Sequence, residues 1–521
     1  MAWMRRHIAF GLAALSAVPA EAWMMDSDPR TGASGLGDAP TAPDQLPKAR
    51  YVRQPQDHFD ASNLHIWEQA YYVNDTFWVP GSAAPIFLCV GGEGPAIDGS
   101  AVVNSVHCNV AVEWLSEKKA LMFALEHRYY GCHNMSACPV SNFDAGSSAL
   151  RFLSSRQAVE DVATFVKQMN ELYGLTQANR WITWGGSYPG MLAGFSRLKH
   201  PDLIHAAVAS SAPVHAKLDM SEYNDAVAHA YSVADNDVGG SPECLEAIRK
   251  GHQVLGSMLE SKEGIKAAEE ALELQPGSLA SRDSQRDYLG EGIAYFPAQA
   301  NEPTCPEPGC NIKKICVVMV DSSRGDELKR LLALRRLQNA AGLLLSRHVA
   351  GSRTLLQPSV KAAEPDYWYY QTCTEFGFYQ TCLKNSSCMF VQGLVDLESM
   401  AGGCKASYNI TIPEIDKNIA ATNAHYGGLL PTGPSGTIGT CVLWPNGEVD
   451  PWAALGVLQS PGPLQPTLWV PGASHHAWTH PSAPTDQASV SAARHAIRRQ
   501  VNIFLSQDCS EEASSLTQLI V

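Results

Sequence analysis

Residues Trp181 to Ser196, WITWGGSYPGMLAGFS, constrain the fold more than any other stretch of the chain. Four mostly apolar, β-prone residues, Trp181-Ile182-Thr183-Trp184, run into Gly185-Gly186-Ser187-Tyr188-Pro189-Gly190, after which Met191, Leu192 and Phe195 recur at helical spacing. The pattern predicts a strand, a sharp turn and a helix. A serine on such a turn is lifted above the sheet edge, its small neighbours avoid clashes, and the helix start aims N–H groups at the reacting centre. Ser187 is therefore the candidate nucleophile. The spacing departs from glycine-x-serine-x-glycine, because Pro189 holds the second place after Ser187 and the glycine comes one place later. Proline suits a helix's first turn, where its missing N–H has no intrahelical partner. A glycine-rich turn with a merely capping serine has the same composition, so the rest of the chain must decide.

Apolar runs at Leu64–Tyr72, Pro85–Val90, Ala120–Glu126 and Ile204–Ser210 read as strands, and Ser154–Leu172 carries Val159, Val162, Phe165, Val166 and Met169 at helical spacing. Strands alternating with helices imply a largely parallel sheet with catalytic groups on loops at the strand carboxyl ends. The second strand runs into Gly91-Gly92-Glu93-Gly94. No Lys-Ser/Thr follows, as a phosphate-binding loop requires; in an elbow-type hydrolase this place supplies the second oxyanion donor, so Gly92 and Tyr188 are the candidate N–H groups. From about Val214 to Ile412 the pattern turns mainly helical, with two cysteine-rich stretches, and is read as an inserted cap over the sheet edge. Arg330, Arg335, Arg336 and Arg347 within it read as a solvated face. The alternation resumes with Thr437–Trp444, followed by Asp450, and Thr467–Val470, followed by Ser474-His475-His476. The order Ser187, Asp450, His475 is that of α/β-hydrolases. The expected class is α/β: a core over residues 49–213 and 413–521, with a helical cap over 214–412.

Met1–Ala22 has the Arg5-Arg6 start, the Ile8–Val18 apolar run and the small-residue end of a secretory signal peptide, with cleavage expected after Ala22. Residues 23–48, rich in Asp, Pro, Gly, Ala and Ser, are expected to be a flexible lead-in or a removable pro-segment. No later stretch approaches the roughly 20 apolar residues of a membrane span. Fourteen cysteines in a secretory chain imply disulfides; Cys305, Cys310 and Cys316 lack the paired spacing of a zinc knuckle, and no metal is expected. Sequons at Asn74, Asn134, Asn385 and Asn409 are candidate glycosylation sites. A formal net charge of −14 argues against a nucleic-acid partner.

A serine hydroxyl needs a histidine to take its proton, and the histidine needs a carboxylate to fix its tautomer. His475 and Asp450 fit these roles, with His476 and His480 as competitors for the base. Gly91-Gly92-Glu93-Gly94, Glu126-His127-Arg128-Tyr129-Tyr130-Gly131, Gly185-Gly186-Ser187-Tyr188, Ser210-Ser211-Ala212-Pro213, Ser221-Glu222-Tyr223-Asn224-Asp225, Tyr370-Gln371-Thr372-Cys373-Thr374-Glu375-Phe376, Asn446-Gly447 with Asp450-Pro451-Trp452, and Ser474-His475 follow in order between about Tyr51 and Leu505. In these segments the chain resembles the secreted serine peptidase family of lysosomal prolyl carboxypeptidase, dipeptidyl peptidase II and thymus-specific serine peptidase, and its wording is nearest the thymus-specific branch. The resemblance implies an α/β-hydrolase core, a helical cap, a triad of Ser187, Asp450 and His475, and exopeptidase cleavage after proline or a small residue by acylation and deacylation, without cofactor. Trp478 departs from it, standing where the family commonly has aspartate. An esterase or lipase on the same fold and a catalytically silent binding glycoprotein are the competing expectations. Glu93, Asp98 and Glu375 are candidate partners for a substrate amine; which terminus is held, and whether the chain forms a homodimer, the sequence leaves open. The expected compartment is the secretory pathway, either exported or in a lysosomal or vacuolar lumen.

Overall fold

The computed structural model describes residues 46–132, 138–139, 150–235, 237–344 and 366–510. The signal segment, most of the lead-in, Asn134 and Arg347 lie outside them. The strands are β1 (Arg50–Pro55), β2 (Ile66–Asn74), β3 (Ile86–Val90), β4 (Leu121–Leu125), β5 (Trp181–Gly186), β6 (Ala206–Ser210), β7 (Lys217–Asp219), β8 (Gly377–Tyr379), β9 (Val442–Gly447) and β10 (Thr467–Val470). Eight of them form one sheet in the order β1-β2-β4-β3-β5-β6-β9-β10, while β7 and β8 pair separately. From β4 to β10 all neighbours are parallel, and β1 and β2 add an antiparallel edge. β3, β4, β5 and β6 are buried throughout, as strands covered on both faces must be.

Successive side chains of β3 feed two cores, because strand residues alternate faces. Ile86, Leu88 and Val90 pack with helices α1 (Ser155–Tyr173) and α2 (Tyr188–Lys199). Phe87 and Cys89 face the other layer, where Trp114, Trp184, Trp478, Ile497 and Phe504 are buried. α1 starts where the Ser154 side chain accepts the Gln157 N–H and stops at Gly174 in the left-handed region, φ 63°.

β9 differs from the expected Thr437–Trp444, because it begins at Val442 and continues through Pro445-Asn446-Gly447. Pairing with β6 ends at Val208–Leu443, ahead of the N–H that Pro445 lacks, so the proline is tolerated there.

Between β6 and β9 the chain inserts helices in two bodies. One, through Ile248, Leu255, Ile315, Met319, Leu331 and Leu334, builds its own core. The other, residues 367–379 and 397–426, joins the sheet's own core, and its helix α3 (Ile412–Tyr426) stacks Tyr426 on Phe195 of α2 at 3.6 Å. Cys373–Cys404 ties the second body together and Cys244–Cys316 the first. Cys305 pairs with Cys310, so the cysteine cluster is bridged. The architecture is that of an α/β-hydrolase, closed by helix α4 (Ala488–Ser506).

Candidate active site

Ser187 sits between β5 and α2 with φ 64° and ψ −132°, a backbone conformation that costs a non-glycine residue about 1–3 kcal/mol. The turn is this tight because its glycines leave no side chain in the way. A Cβ on Gly185 would lie 2.2 Å from the Pro189 carbonyl oxygen, and one on Gly190 2.7 Å from the Ser210 carbonyl oxygen. That same oxygen accepts the Ser187 N–H at 2.9 Å. The shifted glycine therefore permits the close approach of β6, and Pro189 occupies the first turn of α2 without a missing bond.

Asp450 and His475 arrive from the loops after β9 and β10. A Cβ on Gly447 would meet the Ala473 carbonyl oxygen at 2.3 Å, so this glycine lets the two loops run side by side. His475 Nδ1 is 2.8 Å from Asp450 Oδ1, which also accepts the Trp452 N–H at 2.9 Å. A carboxylate only accepts, so Nδ1 carries the proton and Nε2 the lone pair. Nε2 is buried and has no hydrogen-bond partner among the described residues, and neither has Asp450 Oδ2. Ser187, His475 and Asp450 are 6, 6 and 1% exposed.

Two residues of the inserted region, which no sequence signal marked, hold the histidine loop. The Gln299 carbonyl accepts the His475 N–H at 3.1 Å, and the Asn301 carbonyl accepts from Ser474 Oγ at 3.2 Å. Gln299 Oε1 accepts from Trp452 Nε1 and from the Tyr223 hydroxyl. Trp452, Tyr223 and Phe378 form an aromatic wall beside His475.

The competitors are otherwise engaged. His476 Nδ1 lies 3.1 Å from Thr479 Oγ1, its ring covers Gly186, and burial followed by the neighbouring His475, His107 and His480 pushes it well below the usual imidazole range. His480 lies beyond it, its ring tilted at 45° and 5.6 Å from the His476 ring. Trp478 fits by burying its indole and donating Nε1–H to Ser210 Oγ at 2.9 Å.

The glycine loop lies against the nucleophile's helix, since a Cβ on Gly92 would be 2.3 Å from Pro189 Cγ. Gly92 and Tyr188 are thus brought together at the head of α2. Of the three acids considered for a substrate amine, Asp98 is exposed and caps a short helical turn through the Ser100 N–H. Glu375 is buried and bonded to Ser155. Glu93 follows Gly92, has Oε2 sealed from solvent without a partner among the described residues, and is pushed up to about 7 by burial.

Among the sequons, Asn385 and Asn409 are exposed, whereas Asn74 is half-buried and donates Nδ2–H to the Val102 carbonyl. Arg330, Arg335 and Arg336 each hold a protein acceptor: the Met319 carbonyl, the Ile293 carbonyl and Glu273. No helix among the described residues is long and apolar enough to cross a membrane.

Thymus-specific serine protease from Homo sapiens is 34% identical over 475 residues, 88% of this chain and 87% of that protein. The Mus musculus protein of the same name is 34% identical over 486 residues, covering 90% and 89%. Lysosomal Pro-X carboxypeptidase from Bos taurus is 26% identical over 469 residues, covering 85% of each. The sequence profile described as Serine carboxypeptidase S28 matches residues 54–497. With the fold, the glycine-lined serine turn and these likenesses together, the chain belongs to the S28 family and is a serine peptidase.

Proposed function

We propose that Ser187, His475 and Asp450 form the catalytic triad of a serine exopeptidase that cleaves after proline or a small residue near one end of a peptide. His475 Nε2 takes the Ser187 proton as Oγ attacks the scissile carbonyl carbon. The oxyanion develops against the N–H groups of Tyr188 and Gly92, each donor being worth roughly 3 kcal/mol of barrier. The tetrahedral intermediate collapses, His475 gives its proton to the leaving amine, and an ester to Ser187 remains. Water, deprotonated by His475, then attacks the ester and releases the acid. Asp450 keeps the proton on Nδ1 and stabilises the imidazolium.

The observation that carries this proposal is the 2.8 Å contact between His475 and Asp450, with the opposite ring nitrogen buried and unpaired. The aromatic wall of Trp452, Tyr223 and Phe378 beside His475 suits a prolyl ring. Seven disulfides favour an oxidising lumen.

Two reporters test it between pH 4 and 8, one releasing an N-terminal Xaa-Pro dipeptide and one releasing the residue after proline. Turnover of one, absent in Ser187→Ala and not matched by acyl esters of similar size, supports the proposal and identifies the terminus recognised. Turnover retained by Ser187→Ala overturns the triad.

A further inference from the structure

We propose that Gln371, on the inserted region, is a positioning residue for the peptidase reaction: with Glu375 and His127 it holds the Tyr188 phenol, and thereby the oxyanion N–H next to Ser187. This rests on the triad and oxyanion roles proposed above. It extends them to a segment far from Ser187 in sequence.

Every donor direction in the network is fixed by chemistry. His127 Nδ1 is 2.6 Å from the Arg128 carbonyl oxygen, which can only accept, so Nδ1 is protonated and Nε2 accepts. The Tyr188 hydroxyl therefore donates to His127 Nε2 at 3.1 Å and accepts from Gln371 Nε2 at 2.9 Å. Gln371 Nε2 also donates to Glu375 Oε2 at 3.0 Å, and its Oε1 accepts the Tyr130 hydroxyl at 2.7 Å. Glu375 accepts the Ser155 N–H and the Ser155 hydroxyl at 2.7 Å. Tyr426 in turn donates to Ser155 Oγ at 3.1 Å. Gln371 and Tyr188 are completely buried.

The local backbone exists to make this geometry. The helix Tyr367–Gln371 widens into a π-helical turn over Thr372–Phe376, a rare device that often sits at functional sites. Gln371, the last residue of that helix, and Glu375, within the turn, are four residues apart and lie side by side, as i and i+4 do on a helix. Trp368 and Phe376 from the same segment pack on the Tyr188 ring at 5.3 and 5.6 Å. Packing alone would have been served by phenylalanine at 188. The buried hydroxyl with two directed bonds fixes the ring's rotation and depth, and the ring is rigidly joined to the N–H that faces the oxyanion.

The chain just beyond the glycine loop is tied to the residue before His127. Glu126 accepts the His127 N–H at 2.9 Å and the Ile97 N–H at 2.6 Å, so the chain after the Gly91–Gly94 loop is anchored to the residue that anchors Tyr188.

The test compares Tyr188→Phe, Gln371→Met and Gln371→Glu with the unaltered full-length glycoprotein. It measures kcat and KM on a prolyl reporter, the inhibition constant of a peptide aldehyde whose adduct is tetrahedral, and thermal melting. A displacement of the oxyanion donor lowers kcat by roughly 10- to 100-fold while KM changes little. Affinity for the aldehyde falls by the same factor as kcat/KM, because both report the tetrahedral state. Gln371→Glu sets a second carboxyl beside Glu375, whose own carboxyl burial already raises, and removes the amide that donates to Tyr188. Its kcat falls by the same roughly 10- to 100-fold as that of Gln371→Met. A folded Tyr188→Phe or Gln371→Met with unaltered kcat and aldehyde affinity, while Ser187→Ala is inactive, overturns the positioning role and leaves the triad standing. If Gln371→Met does not fold, Tyr188→Phe decides by itself, since it removes a single oxygen. Turnover by Ser187→Ala overturns the underlying triad instead.

Discussion

The most discriminating perturbation of the proposed triad is Asp450→Asn, because both donors that reach its carboxylate among the described residues converge on one oxygen. His475 Nδ1 and the Trp452 N–H both reach Oδ1, at 2.8 and 2.9 Å, while Oδ2 is buried without a partner. An asparagine can place its carbonyl where Oδ1 was and keep both bonds, leaving its amide in the unpartnered position. The flipped rotamer would aim an NH2 at the Trp452 N–H, two donors face to face, and forfeit a buried hydrogen bond worth about 1–3 kcal/mol. The unflipped rotamer therefore dominates and His475 keeps the productive tautomer. What is lost is charge assistance to the imidazolium, about 2–3 kcal/mol, or roughly 10² in kcat. A triad whose histidine is forced into the wrong tautomer loses about 10⁴. The assay is kcat on the prolyl reporter at pH 7, with melting as the control for folding. A four-decade loss in a folded variant would refute the reasoning, since it would mean that the Trp452 N–H does not choose the rotamer. A loss of less than about threefold would remove Asp450 from the mechanism.

Other consequences can be checked separately. Gly190→Ala drives a Cβ to 2.7 Å from the oxygen that holds the Ser187 N–H, so kcat should fall about 10²-fold for a stability cost of only about 1–3 kcal/mol by denaturant titration. Ser187→Gly and Ser187→Ala should both be inactive, yet the glycine variant should be more stable by about 1 kcal/mol, because it relieves the positive φ; equal denaturation midpoints would count against stored strain. Burial raises Glu93 from 4.5 to about 7, so the folded state binds its proton more tightly than the unfolded chain, and this contribution to stability is present below pH 4.5 and lost as pH rises towards 7. Glu93→Gln should therefore stabilise the protein at pH 8, by on the order of 1–3 kcal/mol, and do little at pH 4, as read from melting across that range. Deglycosylation mapping should find sugar at Asn385 and Asn409 and little at Asn74, whose amide is committed to Val102.

The parallel sheet was legible because buried strands leave continuous apolar runs, and the serine turn because Gly185 and Gly190 meet backbone and Gly186 meets the His476 ring, so the glycines have to show in the sequence. Chain order placed Asp450 and His475 at successive strand ends, and the structure joins them. The end of β9 was misplaced since Pro445 reads as a breaker, and only the register with β6, whose last pair is Val208–Leu443, shows that its missing N–H breaks no pair. Gln299 and Asn301 were invisible because they hold the histidine loop through backbone carbonyls, which no side-chain pattern encodes, and the Gln299 side chain meets Trp452 and Tyr223 only across long sequence separations. Gln371 and Glu375 stood in a recognised segment, but their link to Tyr188 joins residues 183 apart in the chain, which local spacing does not encode. Trp478 looked like a threat to the site, and is a core residue whose indole finds Ser210.

The hydrogen bond from the His475 amide to the Gln299 carbonyl limits how such an enzyme can be recombined. In a modular hydrolase a designer would expect to exchange one accessory helical unit for another and so graft new specificity onto an untouched engine. In this chain the loop of His475, the proposed base, is moored to the exchanged part, as is Tyr188, the residue beside Ser187. A chimera that carried over only the specificity-determining surface would inherit a slack histidine loop. The transplantable unit is the helical insertion together with both mooring points, 299–301 and 371–375, and its natural diversification has to proceed by drift around those fixed contacts.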